Sequence, residues 1–295
     1  MNLGGALRPA MLACILVLLL PAGRGAAQGL GLSSPNDRRP LDIEADNGIE
    51  WHQNEQIYVA RGNARATRGD ETLYADTLIA HYRPLGSDHP KDPQSVMGST
   101  EIYLVEADGH VRLENTTDTI DGDHAVYDMD TTTGIVTGKH LRLVTPRDTV
   151  TARDSLEWYD AKQVAVARGD ALAVGIDDRR LAGDVLTALV TKGPDGQSRI
   201  SRIDAQGHVV VTTTTDVARG DSGVYNTDTG IATLAGDVTI TRDQNVLRGH
   251  YAVVNLNTNV SRLLSTPTGN ELAGGIPGRA EGLVIPRSTG KHATP

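Results

Sequence analysis

The sequence contains no phenylalanine, a single cysteine and only two tryptophans among its 295 residues. Because Cys14 has no second cysteine to pair with, no intramolecular disulfide stabilises the chain. With so few large aromatic side chains, the interior must be built from small and medium apolar residues. An excess of positive charge is also missing, and the formal net charge of −9 argues against nucleic acid as a partner.

Residue patterns typical of catalysis or metal binding are absent as well. The nine histidines are scattered, and none pairs with another at the spacing of metal ligands. The segment Gly220-Asp221-Ser222-Gly223 resembles the surroundings of a serine-protease nucleophile, but an internal repeat places His124 where Ser222 stands. No catalytic residue, metal ligand or cofactor is predicted, and we interpret the protein as a non-enzyme.

The N-terminus has the features of a secretory signal peptide. Arg8 precedes an apolar run over residues 10–20, and small residues follow up to Ala27. Cleavage near Ala27 would leave an exported mature chain that starts with a polar lead-in over 28–40. Retention of the segment as a membrane anchor, and lipid modification of Cys14, are the alternatives that remain open.

From Leu41 onward, the chain is rich in Val, Thr, Gly, Asp and Ala, and short alternating apolar segments are separated by turn signals. Such a composition predicts an all-β fold of short antiparallel strands. Several segments begin on an aspartate that is followed two and four residues later by apolar residues, which places those apolar residues on one face of a strand. These aspartates are Asp76, Asp123, Asp154, Asp184 and Asp221.

The chain also contains the same passage twice. Trp51 recurs 107 residues later as Trp158, whereas Tyr127 recurs 98 residues later as Tyr225, so the two copies differ in loop length. A repeat of this size predicts stacked β structure with two tandem modules, 41–148 and 149–265. Pro and Gly dominate the remaining residues, 266–295, which are predicted to form a disordered tail.

The order and spacing of short motifs over roughly 41–264 resemble those of the OstA-like (LptA/OstA) periplasmic proteins of lipopolysaccharide transport. The motifs are Ile43-Glu44-Ala45-Asp46, Ala60-Arg61-Gly62-Asn63-Ala64, Gly207-His208-Val209, Arg219-Gly220-Asp221 and Thr229-Gly230-Ile231. The resemblance implies a twisted β-jelly-roll whose two sheets leave an apolar groove for lipopolysaccharide acyl chains. It also implies that modules stack end to end across the periplasm. Two modules in one chain depart from the family's usual pattern and put in doubt how many copies would span the gap.

The expected function is therefore a periplasmic bridge that shelters lipopolysaccharide acyl chains on their way from the inner to the outer membrane, for outer-membrane assembly. Exposing an acyl chain to water costs about 0.8 kcal/mol per methylene, so the shelter must be continuous. The groove-lining candidates in the first copy are Ile49, Trp51, Ile57, Val59, Leu78, Ala80, Val111, Leu113, Tyr127, Leu141 and Leu143. Those in the second copy are Leu156, Trp158, Val164, Val166, Leu186, Val209, Val211, Tyr225, Val238, Ile240 and Val254.

Two other functions remain open at this point. The same residues would fill the closed core of a β-repeat structural or surface filament protein that has no lipid ligand. A hydrolase or lyase on a β-solenoid would instead require Asp, Arg or His clustered on one face, and the sequence shows no such cluster.

The expected partners are lipopolysaccharide, the inner- and outer-membrane components of its transport machinery, and further copies of the chain arranged head to tail. Unpaired edge strands would provide the protein contacts, at the first strand after Leu41 and at the last strands near Leu247 to Leu264. Arginines at strand ends, such as Arg65, Arg168 and Arg219, are candidates for phosphate contacts or simply solvated positions.

Overall fold

A computed structural model of the chain describes residues 41–84, 100–175, 178–192, 198–255, 258, 260–264 and 281–283. The predicted signal peptide and the polar lead-in lie outside these residues. So does most of the predicted tail, of which only residues 281–283 are described. Across all the described ranges, all regular structure except one 3₁₀ turn, Asp160–Lys162, is β-strand. The strands are β1 Asp42–Glu44, β2 Ile49–His52, β3 Ile57–Arg68, β4 Glu71–Pro84, β5 Thr100–Glu114, β6 Thr119–Asp128, β7 Thr133–Thr137, β8 Leu141–Val144, β9 Asp148–Ala152, β10 Ser155–Tyr159, β11 Val164–Gly175, β12 Arg180–Lys192, β13 Ser198–Thr212, β14 Asp216–Asn226, β15 Ile231–Arg242, β16 Asn245–Asn255, β17 Val260–Leu264 and β18 Glu281–Leu283.

These strands form one antiparallel sheet of 18 strands. The long strands β3 to β6 and β11 to β16 each pair with the next one along the chain. Elsewhere two short strands share one level of the sheet: β1 and β2 both pair with β3, and β7 and β8 both pair with β6. The predicted all-β fold is confirmed.

Side-chain hydrogen bonds close several of the connections between strands. In the β5–β6 turn, the Asn115 Oδ1 accepts the backbone N–H groups of Thr117 and Asp118, both at 2.8 Å. Thr213 Oγ1 similarly accepts the backbone N–H of Asp216 at 3.0 Å in the β13–β14 turn. Asn and Thr at the first position of a turn stabilise it in this way, which explains why these residues recur between the strands.

The sheet is folded along one line, which we call the crease. Five strands carry an extra residue, a β-bulge, at the same position along their length. In each of them, two consecutive residues at the bulge have positive φ. These pairs are Gly62-Asn63, Gly109-His110, Gly169-Asp170, Gly207-His208 and Gly236-Asp237. A bulge bends its strand sharply, and bulges that stand at one level on alternate strands bend the whole sheet there.

The crease divides the sheet into two arms that face each other. The first arm holds β2, β7 and β10, and the second arm holds β1, β8 and β9. A Cβ on Gly122 of the second arm would lie only 2.3 Å from Val136 Cγ1 of the first arm, so the arms are in close contact near the crease. The buried apolar cluster includes Leu78 from the first arm and Leu113 from the second. The two facing layers expected of a jelly-roll are thus the two halves of one folded sheet.

The sheet also continues without interruption from one predicted module to the next. Where the two predicted modules meet, β8 pairs with β9 in the second arm and β7 pairs with β10 in the first arm. The division into two modules remains a prediction. Within the described residues, no helix has the length and apolar character that crossing a membrane would require.

Candidate functional site: an apolar trough between the arms

The inner faces of the arms carry four rows of apolar and aromatic side chains, which run across the strands parallel to the crease. We call the row nearest the crease in each arm its deep row and the next row its rim row. The rim row of the first arm contains Trp51, Tyr58, Ala80, Val105, Tyr127, Gly134, Trp158, Ala165, Ala188, Ile203, Tyr225, Ala232 and Val254. Its deep row contains Ile49, Ala60, Leu78, Ala107, Ala125, Val136, Leu156, Ala167, Leu186, Ala205, Gly223, Leu234, Ala252 and Leu263.

The second arm mirrors this arrangement. Its rim row contains Ile43, Ala66, Leu73, Leu113, Ile120, Leu143, Val150, Ala173, Leu181, Val211, Ala218, Ile240 and Leu247. Its deep row includes Ala64, Ala75, Val111, Gly122, Leu141, Ala152, Ala171, Gly183, Val209, Gly220, Val238 and Gly249. Lys, Arg, Asp, Glu and His are absent from all four rows.

The four rows together line a continuous apolar trough. Neighbouring strands lie about 4.8 Å apart, so the row from Trp51 to Val254 extends for roughly 58 Å along the sheet. Most deep-row side chains are buried in both copies, as shown by Leu78 at 4 % exposure in the first and Leu186 at 6 % in the second, whereas Ile49 at the first end of the sheet is half exposed. The deep rows are therefore buried over most of the length of the trough.

The rim rows differ between the two halves of the trough. In the first half, formed by β1 to β8, Leu73 and Leu113 of the second arm are buried opposite Tyr127 of the first. They line a small apolar recess together with Trp158. In the second half, formed by β9 to β17, Leu181, Val211 and Ile240 are only partly buried, although they pack against the same core. The arms are therefore more tightly closed around Tyr127 in the first half than they are in the second half, although a second small apolar recess, lined by Ile43 and Tyr58 among others, lies toward the outer end of the first half.

Aromatic residues fill the first-half rim near its outer end. The rings of Trp51 and Tyr58 stack with centroids 5.9 Å apart, and the ring of Tyr82 lies 4.9 Å from that of Tyr58. The Trp51 Nε1 donates a hydrogen bond of 2.7 Å to the Tyr82 hydroxyl. In the second copy, Ala165 and Val190 stand where Tyr58 and Tyr82 stand in the first, so the side chains at these positions are smaller.

Most of the predicted groove residues lie on the four rows. These are Ile49, Trp51, Leu78, Ala80, Val111, Leu113, Tyr127, Leu141, Leu143, Leu156, Trp158, Leu186, Val209, Val211, Tyr225, Val238, Ile240 and Val254. Whether they contact a lipid stays a prediction.

The structure places four of the predicted residues, Ile57, Val59, Val164 and Val166, on the opposite, outer face. Val59 pairs with Glu50 and Val166 pairs with Glu157, whereas the small residues Ala60 and Ala167 occupy the inner face. Placing these four in the groove has to be corrected. The hairpin connections set the phase of β3 and β11, and this phase puts Val59 and Val166 outside although they are larger than the inner-facing Ala60 and Ala167.

The crease carries polar residues that sequence reasoning did not recognise as a unit. His110 Nδ1 lies 2.8 Å from Asp76 Oδ2, and His208 Nδ1 lies 3.0 Å from Asp184 Oδ2. The hydrogen bond to the neighbouring carboxylate raises the pKa of both His110 and His208. The signal was present in the aspartate-led strands and in the recurring Gly-His and Gly-Asp pairs, which together specify a bend.

Ion pairs dominate the outer face. Arg65 Nη2 lies 2.7 Å from Glu44 Oε2, and Arg168 Nε lies 2.8 Å from Glu157 Oε1. Burial alone would raise the pKa of Glu157, but hydrogen bonds from Ser155, Arg168 and Tyr159 outweigh it and the pKa is lowered. Arg65 and Arg168 therefore link neighbouring strands. Within the described part of the chain, no three His, Cys, Asp or Glu side chains are placed to hold a metal ion.

Comparison with known proteins gives one family. The sequence profile of the family described as LptA/(LptD N-terminal domain) LPS transport protein matches residues 42–260. No curated protein matches the chain in sequence. Among solved structures, LptH, the LptA-homologous periplasmic component of the lipopolysaccharide transport device of Pseudomonas aeruginosa, is 12 % identical, over 86 % of this chain and 100 % of LptH. Its TM-score of 0.22 is too low to support an inference about this chain.

Proposed function

This chain belongs to the LptA/LptD N-terminal domain family of LPS transport proteins, and from that premise we propose that it carries lipopolysaccharide across the periplasm with the acyl chains lying in the trough. The supporting observation is the continuity of the four apolar rows. A ligand with several parallel hydrocarbon chains requires an apolar surface that is long in one direction and narrow in the other. The folded sheet has these proportions.

The energetics favour a shelter of this kind. Each methylene that leaves water stabilises the bound state by about 0.8 kcal/mol, so a chain of a dozen methylenes gains roughly 10 kcal/mol at full burial. A break in the rows would expose part of the acyl chains to water, and a lipid moving along the trough would lose that part of the stabilisation. Because neither half interrupts the rows with a charged side chain, a lipid can advance without exposing its chains.

The second half is the part that accepts acyl chains most readily. Its rim residues Leu181, Val211 and Ile240 are partly exposed, and its rim is narrowed by fewer aromatic rings than the rim of the first half. In the first half, Leu73 and Leu113 are already buried against the opposite arm. Loading the first half requires the arms to separate, whereas the second half needs a smaller movement.

The two ends of the sheet are the proposed contact sites for protein partners. Within the described residues, β1 and β2 pair only with β3, and β17 pairs only with β16, so each leaves one edge for a further strand. At the first end, Ile49 and Trp51 are 50 % and 57 % exposed. A strand added there would continue the inner rows and cover both side chains. The partners would be the inner- and outer-membrane transport components or a second copy placed head to tail.

Two further parts of the proposal concern organisation. The signal peptide is removed near Ala27, which releases the chain into the periplasm. Residues 41–148 and 149–265 act as two modules that share one trough, consistent with the continuous sheet between β8 and β9.

Site-specific photo-crosslinking in cells tests the proposal. A photoreactive residue at Val211 or Val254, on the inner rows, is expected to capture lipopolysaccharide. The matched controls are Val210 and Val253, which have the same residue type, are also partly buried and lie on the outer face of the same strands. Capture is measured by immunoblot for lipopolysaccharide.

Capture at Val211 and Val254 without capture at Val210 and Val253 supports the trough as the lipid path. Equal capture at all four positions, or none at any, contradicts it. In the second case a β-repeat filament with a closed core would be the better description.

A further inference from the structure

The indole N–H of Trp158 is a buried hydrogen-bond donor inside the trough. Trp158 is 9 % exposed, and among the described residues its Nε1 has no hydrogen-bond partner. Buried donors of this kind are rare in folded proteins because losing hydration without a new partner is unfavourable. The site therefore has one unsatisfied polar group in otherwise apolar surroundings.

The corresponding residue of the first copy has a partner. Trp51 Nε1 donates to the Tyr82 hydroxyl at 2.7 Å. Tyr82 and Val190 are each the first residue after an equivalent irregularity in the strand pairing, so Val190 takes the place of Tyr82 in the second copy. Valine has no hydroxyl group, so the second copy lacks this acceptor although it retains the indole.

Neighbouring residues fix the position of the indole. A Cβ on Gly134 would lie 2.0 Å from Trp158 Cζ2, so the ring rests directly on the backbone of the adjacent strand. The Tyr127 ring stacks beside it with a centroid distance of 6.3 Å. The hydroxyl of Tyr127 donates to Asp160 Oδ2 at 3.3 Å, on the polar side of the cluster.

The apolar recess beside Trp158 lies between the two arms. Leu73 and Leu113 from the second arm and Val105 and Val136 from the first arm line it together with Trp158. The donor is thus located where the proposed lipid path passes from the closed half to the more open half.

We propose that the Trp158 indole N–H donates a hydrogen bond to the carbonyl oxygen of an ester- or amide-linked acyl chain in the trough. This inference rests on the proposed function and adds a polar recognition point to a surface that would otherwise bind any hydrocarbon. The carbonyl is the one strong acceptor that lies next to the hydrocarbon of an acylated lipid. A hydrogen bond formed in these dry surroundings selects acyl chains over alkyl chains without a carbonyl by roughly tenfold.

Indole NMR tests the inference on the full-length mature chain. The sequence contains two tryptophans, so ¹⁵N-indole labelling gives two N–H signals, and the signal that remains in Trp51→Phe is that of Trp158. The probes are rough-type lipopolysaccharide, an ester-linked lysophosphatidylcholine and its ether-linked analogue of the same chain length. The Trp158 signal is expected to shift downfield with the lipopolysaccharide and the ester lipid, while the Trp51 N–H, which already donates to Tyr82, gains no new hydrogen bond and shows no comparable downfield shift.

Binding measurements with Trp158→Phe complete the test. Phenylalanine keeps an aromatic ring and removes the donor, so affinity for the ester lipid is expected to fall roughly tenfold while affinity for the ether lipid is unchanged. Tyr159→Phe is the matched control, because it removes a hydroxyl donor from the outer face of the same strand, and it is expected to leave both affinities unchanged.

Two results overturn the inference and spare the proposed function. One is lipopolysaccharide binding without a shift of the Trp158 signal, and the other is an equal loss of ester and ether binding in Trp158→Phe. Failure of every lipid to bind the unaltered protein, together with failure of crosslinking at Val211, overturns both. The NMR measurement on the Trp51→Phe protein remains decisive even if Trp158→Phe does not fold.

Discussion

The two halves of the trough have similar deep rows and differ in their rim rows. Leu78 and Leu186, and likewise Val111 and Val209, occupy equivalent deep positions and are buried in both halves. At the rim, Leu73 is 3 % exposed, whereas its counterpart Leu181 is only partly buried. The repeat has kept the residues that bend and anchor the sheet, and it has changed those that bring the two arms together.

This difference separates stability from accessibility. Side chains that meet across the trough bury apolar area and hold the arms together, so the first half is expected to contribute more to the free energy of unfolding. The second half gives up part of that contribution and leaves apolar surface for a ligand. One fold thereby contains a tightly packed part and an accessible part.

Matched truncations at the rim should produce the largest contrast. Leu73→Ala removes a fully buried side chain and is expected to lower the free energy of unfolding by about 2–5 kcal/mol. Leu181→Ala removes a partly exposed one, and a loss of roughly 1–2 kcal/mol is expected. Urea unfolding followed by circular dichroism measures both, and equal losses would show that the halves are packed alike.

Matched substitutions at the crease should produce the same effect in both halves. Gly109 and Gly207 have positive φ, and a Cβ there would lie 2.2 Å from Asp76 Oδ2 and 2.0 Å from Asp184 Oδ2. Gly109→Ala and Gly207→Ala are each expected to cost about 1–3 kcal/mol of unfolding free energy.

Adding a substitution of the neighbouring aspartate separates the cost of the positive φ from the cost of the contact with the carboxylate. In an Asp76→Ala background the contact with the carboxylate is gone, so Gly109→Ala should cost only the backbone part, about 1 kcal/mol. A large difference between Gly109→Ala and Gly207→Ala would contradict the idea that the crease is the conserved part of the repeat.

The smallest expected effect is a dependence of stability on pH that both halves share. Because bonding to Asp76 and Asp184 raises the folded-state pKa of His110 and His208, their stabilisation is complete below the unfolded pKa of about 6.5 and is lost as pH rises through the folded value. Both imidazoles are strongly exposed, so the change should be small. Urea midpoints at about pH 5.5 and about pH 8.5 measure it.

Asparagine is the matched control for these histidines. Asn63 occupies the equivalent bulge position in β3 and donates to Asp46 Oδ2 at 2.7 Å without titrating. His110→Asn with His208→Asn should therefore retain the crease and reduce the pH dependence. An unchanged pH dependence in the double variant would assign it to other groups.

Strand alternation predicted much of the inner surface from sequence, because residues such as Leu78 and Leu186 are apolar at period two within long strands. The method failed for Val59 and Val166. Apolar residues stand on both faces of these strands, and Val59 and Val166 are larger than the inner-facing Ala60 and Ala167, so comparing these neighbours by size gives the wrong phase. Only the pairing of Trp51 with Tyr58 fixes which face is inside, and that depends on the hairpin connection.

The bend in the sheet was harder to predict. Gly109-His110 and Gly207-His208 look like turns that end a strand, and the sequence therefore predicts short strands where the structure has continuous ones of 15 residues. Bulges and hairpin turns use the same residue types, since both need positive φ. What distinguishes them is the partner strand, which a local pattern does not contain.

The continuous pairing of β8 with β9 has a consequence for how such proteins change in evolution. Each level of the sheet bends at its own corner and contacts mainly the levels on either side, so copying a block of levels creates no new kind of interface. Insertion of one further block of the size found here, from β9 to β15, would lengthen the passage by roughly 29 Å and leave its cross-section unchanged. Internal duplication is thus a direct way to fit a conduit to a wider gap between two membranes.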